Sequence, residues 1–401
     1  MTTRREVIRA AGLTAMTGLL GACKPEEQEA AKAGDRLLVR HENGLGIYAA
    51  DTGKWLAAPA AGAINGTGLA SVDGGKLLLR DAGTAVISSE CALQGTWTPR
   101  ATHGEQVALV SGAHAATDVY RPVPRTQTSL LVMRSGKERK RFDLPGNLEP
   151  EAFSAEGDRL FILDYLPPKA PNVYRVRVLN LFTGELQPLQ TKQKVLVPEG
   201  AEEVMRGQGR QSVYGGGILF TLYTHQGDHQ HTGELLGVRP GAPNVHSFIH
   251  ALHLFESWAV CIDLPAPFGT SGSQGHTIAM SANGSTLYAI SAEHGAVAVI
   301  DPNELTVKHT RAFTPSKGEA SALVMPDGRL LIGAGRQLTM LEDANRDEWQ
   351  LDFDLRGLAL GQQLWAGRAS GVTALQWDGR KQLQRNEIPG LVELRQAFAL
   401  R

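Results

Sequence analysis

A short turn recurs along this chain and keeps step with itself. Four times an acidic residue or asparagine is followed by glycine, one or two polar residues and leucine. The instances are Asp73-Gly74-Gly75-Lys76-Leu77, Glu156-Gly157-Asp158-Arg159-Leu160, Asn283-Gly284-Ser285-Thr286-Leu287 and Asp327-Gly328-Arg329-Leu330. Tight hairpin turns need positive φ, which glycine adopts without a side-chain clash. The intervals between these turns are 83, 127 and 44 residues, or two, three and one steps of about 42. A second turn recurs later in each step, as in Asp51-Thr52-Gly53-Lys54, Ser135-Gly136-Lys137, Thr183-Gly184-Glu185 and Asp378-Gly379-Arg380. Between the turns lie short runs of β-branched and aliphatic residues, and no long helical pattern appears. Each unit therefore reads strand, first turn, strand, loop, strand, second turn, strand.

A repeat of about 40–45 residues with four strands is the unit of a β-propeller blade. The chain is thus expected to be an all-β propeller of four-stranded antiparallel blades. Seven units can be placed, at 69–93, 103–144, 149–190, 210–265, 275–309, 319–352 and 356–388, with an extra strand pair at 36–56. Exposed strand edges invite aggregation, so the extra pair must close the ring against the last blade. Seven blades is the favoured count. An eight-bladed ring, in which 36–56 is completed by 391–400, is the alternative. A pair of sandwich domains is disfavoured by the phase-locked turns. The 45 glycines among 401 residues are in excess of ordinary usage, and the two hairpins of each unit give many of them a position.

The stretch Leu287-Tyr288-Ala289-Ile290-Ser291-Ala292-Glu293-His294-Gly295-Ala296-Val297-Ala298-Val299-Ile300-Asp301 resembles the repeat of YVTN-type propellers. Trp377-Asp378 resembles the Trp-Asp dipeptide of Trp-Asp repeats, and occurs once. These likenesses imply a fold, not an activity.

The N-terminus reads as an address. Arg4 and Arg5 precede Val7 and Ile8, an uncharged run from Ala10 to Ala22 follows, and Leu20-Gly21-Ala22-Cys23 closes it. A basic start and a short apolar run make a signal peptide, too short to span a bilayer. The paired arginines resemble a twin-arginine export signal. The closing tetrapeptide resembles the bacterial lipobox, which implies cleavage and acylation at Cys23. The expected organisation is a signal peptide at 1–22, a lipidated polar tether at 23–34 and one propeller domain over 35–401. Lipidation would tie the exported protein to the outer side of a bacterial membrane.

Three consecutive units are lengthened at one topological point, the loop between their second and third strands: 113–128, 164–172 and 224–245. In a propeller these loops share one face, and loops on a rigid scaffold commonly carry binding. Tyr120, Arg121, Tyr165, Lys169 and His246 are the candidate contacts on that face. The third loop also concentrates histidine. His225, Asp228, His229 and His231 offer imidazole and carboxylate donors suited to a transition metal, the one cofactor the sequence suggests. The plainer reading of that run is a solvated loop. His250 and His253 have opposite strand parity and cannot form a joint site by themselves. His276 reads as a structural histidine. With Cys23 acylated, Cys91 and Cys261 are expected as two buried free thiols in different blades.

A formal charge of −1 excludes a basic nucleic-acid surface. No Gly-x-Ser-x-Gly elbow, P-loop or dinucleotide-binding glycine pattern is present. Binding of a protein, peptide or glycan is therefore favoured over catalysis. The alternative is an extracytoplasmic lactonase-like hydrolase or metal-dependent oxidoreductase with its site at the channel mouth.

Overall fold

The computed structural model describes residues 34–398, apart from 66–67, 82–86, 113–122, 207, 226–228, 239, 241–244 and 343–344. The leader, Cys23 and most of the tether lie outside them, as do Tyr120, Arg121 and Asp228. Among the described residues no helix is long and apolar enough to cross a membrane.

The predicted turns form as tight turns. Gly74, Gly75, Gly157, Gly284 and Gly328 take φ values of 55°, 79°, 69°, 69° and 90°. Around them the described residues fold into seven antiparallel sheets. Six have four strands and occupy 97–145, 147–188, 208–263, 276–312, 320–350 and 358–387. We number these sheets 2 to 7. Sheet 1 has seven strands, in the order Leu391–Phe398, Arg36–His41, Gly44–Ala49, Lys54–Asn65, Gly68–Asp73, Lys76–Asp81 and Ile87–Ala92. First strands of successive sheets pack together, as Trp97–His103 does with Asn147–Phe153, and His276–Met280 with Ala320–Val324. The architecture is a β-propeller.

Sheet 1 accounts for the extra strand pair. Lys54–Asn65 pairs with Gly44–Ala49 through Ala60, and from Ala61 it pairs with Gly68–Asp73. One long strand thus ends one four-strand set and begins the next. Counted as sheets the ring has seven members. Counted as four-strand sets, sheet 1 supplies two, and one of them is the alternative in which the C-terminal strand completes the N-terminal pair. Leu391–Phe398 runs antiparallel to Arg36–His41, from Arg36 opposite Phe398 to His41 opposite Leu391. Asp35 adds a clip to sheet 7. Its buried carboxylate accepts hydrogen bonds from the Gln362 and Gln363 amides at 2.7 and 3.0 Å and from Trp365 Nε1 at 2.7 Å.

The core lies between neighbouring sheets. Ala108, Val110 and Val132 of sheet 2 meet Phe153, Leu160 and Ile162 of sheet 3 in one cluster. Phe220, Leu222 and Ile249 of sheet 4 meet Ile278, Leu287 and Ala289 of sheet 5 in another.

A one-residue register shift recurs in the first strands of sheets 2, 3 and 4. It falls between Pro99 and Ala101, Pro150 and Ala152, and Gly209 and Gln211. Such bulges re-aim a side chain. Glu151 is the shifted residue in sheet 3, and its Oε2 is sealed from solvent without a hydrogen-bond partner. Burial pushes its carboxyl up to about 7, from an ordinary value of 4.5. The folded protein therefore keeps a proton that the unfolded chain releases. That contribution is fully present below pH 4.5 and is lost as pH rises through 7. Glu151→Gln should be more stable than the parent at pH 8 by about 1–3 kcal/mol, with the difference vanishing near pH 4. Urea titrations at the two pH values check this, and a difference independent of pH would contradict it.

Candidate functional site

Sheets 3 and 4 are joined by the longest sheet-to-sheet connection, 189–207, and the site is built around it. The segment is stitched to both sheets. Tyr174 and Met205 exchange backbone hydrogen bonds of 3.0 and 2.7 Å, and the Gln190 amide donates to the Ser257 carbonyl at 2.9 Å. Glu202 is gripped by Arg175 at 2.6 Å and Arg177 at 2.9 Å, and Arg175 also pairs with Asp164 at 2.9 Å. With Glu202 held against sheet 3, its neighbour Glu203 reaches sheet 4.

The third long loop descends onto the same place. His231, with extended backbone (φ −79°, ψ 155°), caps the one-turn helix Thr232–Leu235. The Thr232 amide donates to Glu203 Oε1 at 2.9 Å, tying loop to linker. His229 and His231 turn inward at 7% and 4% exposure. These two histidines are therefore not solvated, and the reason is apolar packing. The His229 ring stacks on Phe248 at 4.3 Å and 14°, and meets His231 edge-on at 4.7 Å.

Cys261 completes the group from the outer strand Ala259–Asp263, its thiol donating to Glu203 Oε2 at 3.1 Å. Glu203, His229, His231 and Cys261 each present one donor atom, all within 4.8 Å of one another. His231 Nε2 meets Asp263 Oδ1 at 2.7 Å, so Nδ1 is the nitrogen turned to the cluster. That Nδ1 and both nitrogens of His229 are buried without a hydrogen bond of good geometry among the described residues, the Val204 backbone lying close to the His229 ring. Burial lowers the pKa of His229, and His231 pushes the same way, against the pull of Glu203 and Asp263. A neutral imidazole keeps a lone pair free for a Lewis acid.

Beside the cluster opens a cavity of about 320 Å³, lined by Glu203, His231, Cys261 and His250 together with Leu189, Val197, Met205, Leu236 and Val260. His250 lies opposite Cys261 in register, and burial pushes its pKa down to about 4. Val195, Leu196, Leu235, Leu236 and Val238, from the linker and the loop that frame the cavity, are exposed apolar side chains.

The structure rearranges the candidates drawn from sequence. Of the three proposed metal ligands among the described residues, His229 and His231 are brought together here. His225 is not: its exposed ring bonds to the Ser271 carbonyl and stands edge-on to His276, because a left-handed residue (φ 59°) turns it towards sheet 5. Tyr165 is not a surface contact. At 2% exposure it packs against Tyr174 in the core, because its strand position faces sheet 4. Lys169 and His246 are exposed. The described parts of the first two long loops touch, the Arg125 amide donating to the Pro168 carbonyl at 3.1 Å. His276 is buried, receiving the Gly269 amide on Nε2 at 3.1 Å. Cys261 is buried, Cys91 only half-buried on the last strand of its set, and neither is in a disulfide.

Glu203, Asp263 and His250 were missed. The signal for Glu203 was the acidic pair inside an unusually long connection.

No protein-family model matches the sequence, and no curated protein does. Among solved structures, apo AztD from Citrobacter koseri is similar at a TM-score of 0.53 and 12% identity, over 90% of this chain and 97% of that one. BamB from Moraxella catarrhalis gives 0.42 and 11% over 85% and 93%. Saccharomyces cerevisiae Sqt1 gives 0.47 and 10% over 82% and 86%. At such identities the likeness to AztD shows the shared fold alone.

Proposed function

We propose that this chain is an exported, lipid-anchored propeller that works as a binding module in the bacterial envelope. Its ligand site is the cavity between sheets 3 and 4 rather than the whole face bearing the long loops. One observation carries this reading: the third long loop folds over a cavity of about 320 Å³ walled by buried titratable groups and framed by exposed apolar side chains. Cavities of this size, mostly apolar with a few convergent polar groups, are the usual form of a small-ligand site. The export reading is supported by Arg4, Arg5 and Cys23 in their sequence contexts.

Cys23→Ala should move the protein from the membrane to the soluble fraction of the envelope. Ala259→Trp, placed in the cavity wall, should abolish the thermal shifts that small molecules produce in the parent while leaving the circular dichroism unchanged. A Cys23→Ala protein that stays with the membrane would contradict the anchor. Thermal shifts indifferent to Ala259→Trp would contradict the site.

A further inference from the structure

The structure assigns the floor of this cavity to a borderline divalent metal ion, of the zinc class, held by Glu203, His229, His231 and Cys261. The assignment rests on the cavity being the ligand site and names the chemistry of what binds there.

The donor atoms converge within 4.8 Å from three separate stretches of chain: the linker, the third loop and an outer strand. Two imidazoles, one thiol and one carboxylate suit zinc, whose ligands are nitrogen, sulfur and oxygen, and not calcium or magnesium, which take oxygen. Convergence alone would be weak, but the surroundings of the two histidines and the aim of the thiol add to it. His229 is buried, and neither ring nitrogen makes a hydrogen bond of good geometry among the described residues, the Val204 backbone being the one polar group close enough to serve one of them. Buried polar atoms are nearly always satisfied, and Val204 can serve only one of the two nitrogens, so the other calls for a ligand. His231 carries the support expected of a metal-bound histidine, Asp263 holding Nε2 at 2.7 Å while Nδ1 faces the cluster. Such carboxylate–histidine pairs fix the tautomer and raise the basicity of the ligating nitrogen. The Cys261 thiol already points at the Glu203 carboxylate.

Loading balances simply. The divalent ion forms bonds to Glu203, the two neutral imidazoles and the Cys261 sulfur. The thiol gives up its proton to solvent, and no oxidation occurs. Glu203, His231 and Cys261 line the cavity, so the bound ion would be reachable from it.

The test uses the full chain purified without a histidine tag and dialysed against zinc alone. One zinc per chain is expected, with affinity falling about 100-fold or more in His229→Phe and Cys261→Ser, and about 10–100-fold in Asp263→Asn. His225→Phe should bind as the parent does. Phenylalanine keeps the stacking on Phe248 and removes both ring nitrogens. In chelator, His229→Phe should therefore melt no lower than the parent, which separates a lost ligand from a lost fold. Cobalt should give a thiolate charge-transfer band that disappears in Cys261→Ser. Substoichiometric zinc in the parent, or undiminished binding in His229→Phe, would overturn the assignment. Small-molecule shifts blocked by Ala259→Trp would in that case still leave the cavity as the ligand site.

Discussion

A chain ending at Gly390 should yield no folded, soluble monomer. The missing strand Leu391–Phe398 is the first strand of its sheet, and its pairing with Arg36–His41 joins the two ends of the chain. Without it Leu37 and Val39 lose the Leu391, Leu394 and Ala397 side chains with which they cluster. The edge of Arg36–His41 would also open to water and to other chains. Sheet 7 loses contacts as well. The Leu394 amide donates to the Arg356 carbonyl at 2.8 Å, and Arg356 Nη1 donates to the Leu391 carbonyl at 2.8 Å. The approach is close enough that a Cβ on Gly357 would fall 2.0 Å from the Leu394 carbonyl oxygen. A domain has about 5–15 kcal/mol of net stability, and losing a closing strand should exceed it. Expression and size-exclusion chromatography should show aggregate or no protein, with partial recovery when a peptide spanning Leu391–Phe398 is supplied. A soluble monomer melting near the parent would contradict ring closure by this strand.

Glu149→Ala should cost about 3–5 kcal/mol in urea unfolding. Glu149 is 1% exposed and faces two arginines. Arg100 Nε lies 2.7 Å from one of its oxygens, and Arg125 pairs with the other. Burial lowers the pKa of Arg100, an effect that Glu149 opposes. Removing the carboxylate leaves two guanidinium groups in a poorly solvated place with nothing to neutralise them. Arg125 belongs to the first long loop and also bonds Asn147 Oδ1 at 3.0 Å and the Leu148 carbonyl at 2.8 Å. The same substitution should therefore loosen that loop, read as faster proteolysis near Arg125. Glu149→Gln keeps acceptor capacity and should cost less. A loss under about 1 kcal/mol in Glu149→Ala would show that the arginines find other partners.

The ring was legible because its signal is local. A hairpin turn needs glycine at positive φ, so Gly157 or Gly284 announces itself within four residues of sequence, and the recurrence of such turns sets the blade. The double duty of Lys54–Asn65 was not legible. Nothing in Ala60 or Ala61 marks where one strand changes partners, since the change depends on sheets made by distant segments. The site was half legible for the same reason. His229 and His231 stand out by composition, and two residues of spacing do bring their rings together. Glu203 and Cys261 follow no spacing motif relative to them. Cys261 sits in an apolar strand, and only the packing of the linker against sheets 3 and 4 brings it to the histidines. Tyr165 misled because loop position was taken for exposure, while the strand Arg159–Leu166 carries it into the core.

The most direct measurement is anomalous diffraction at the zinc edge from crystals of the full chain grown with zinc. The account predicts one strong peak enclosed by Glu203, His229, His231 and Cys261, about 2.0–2.3 Å from each donor. Zinc confined to exposed groups such as His225 or His246, with none among these four side chains, would contradict it.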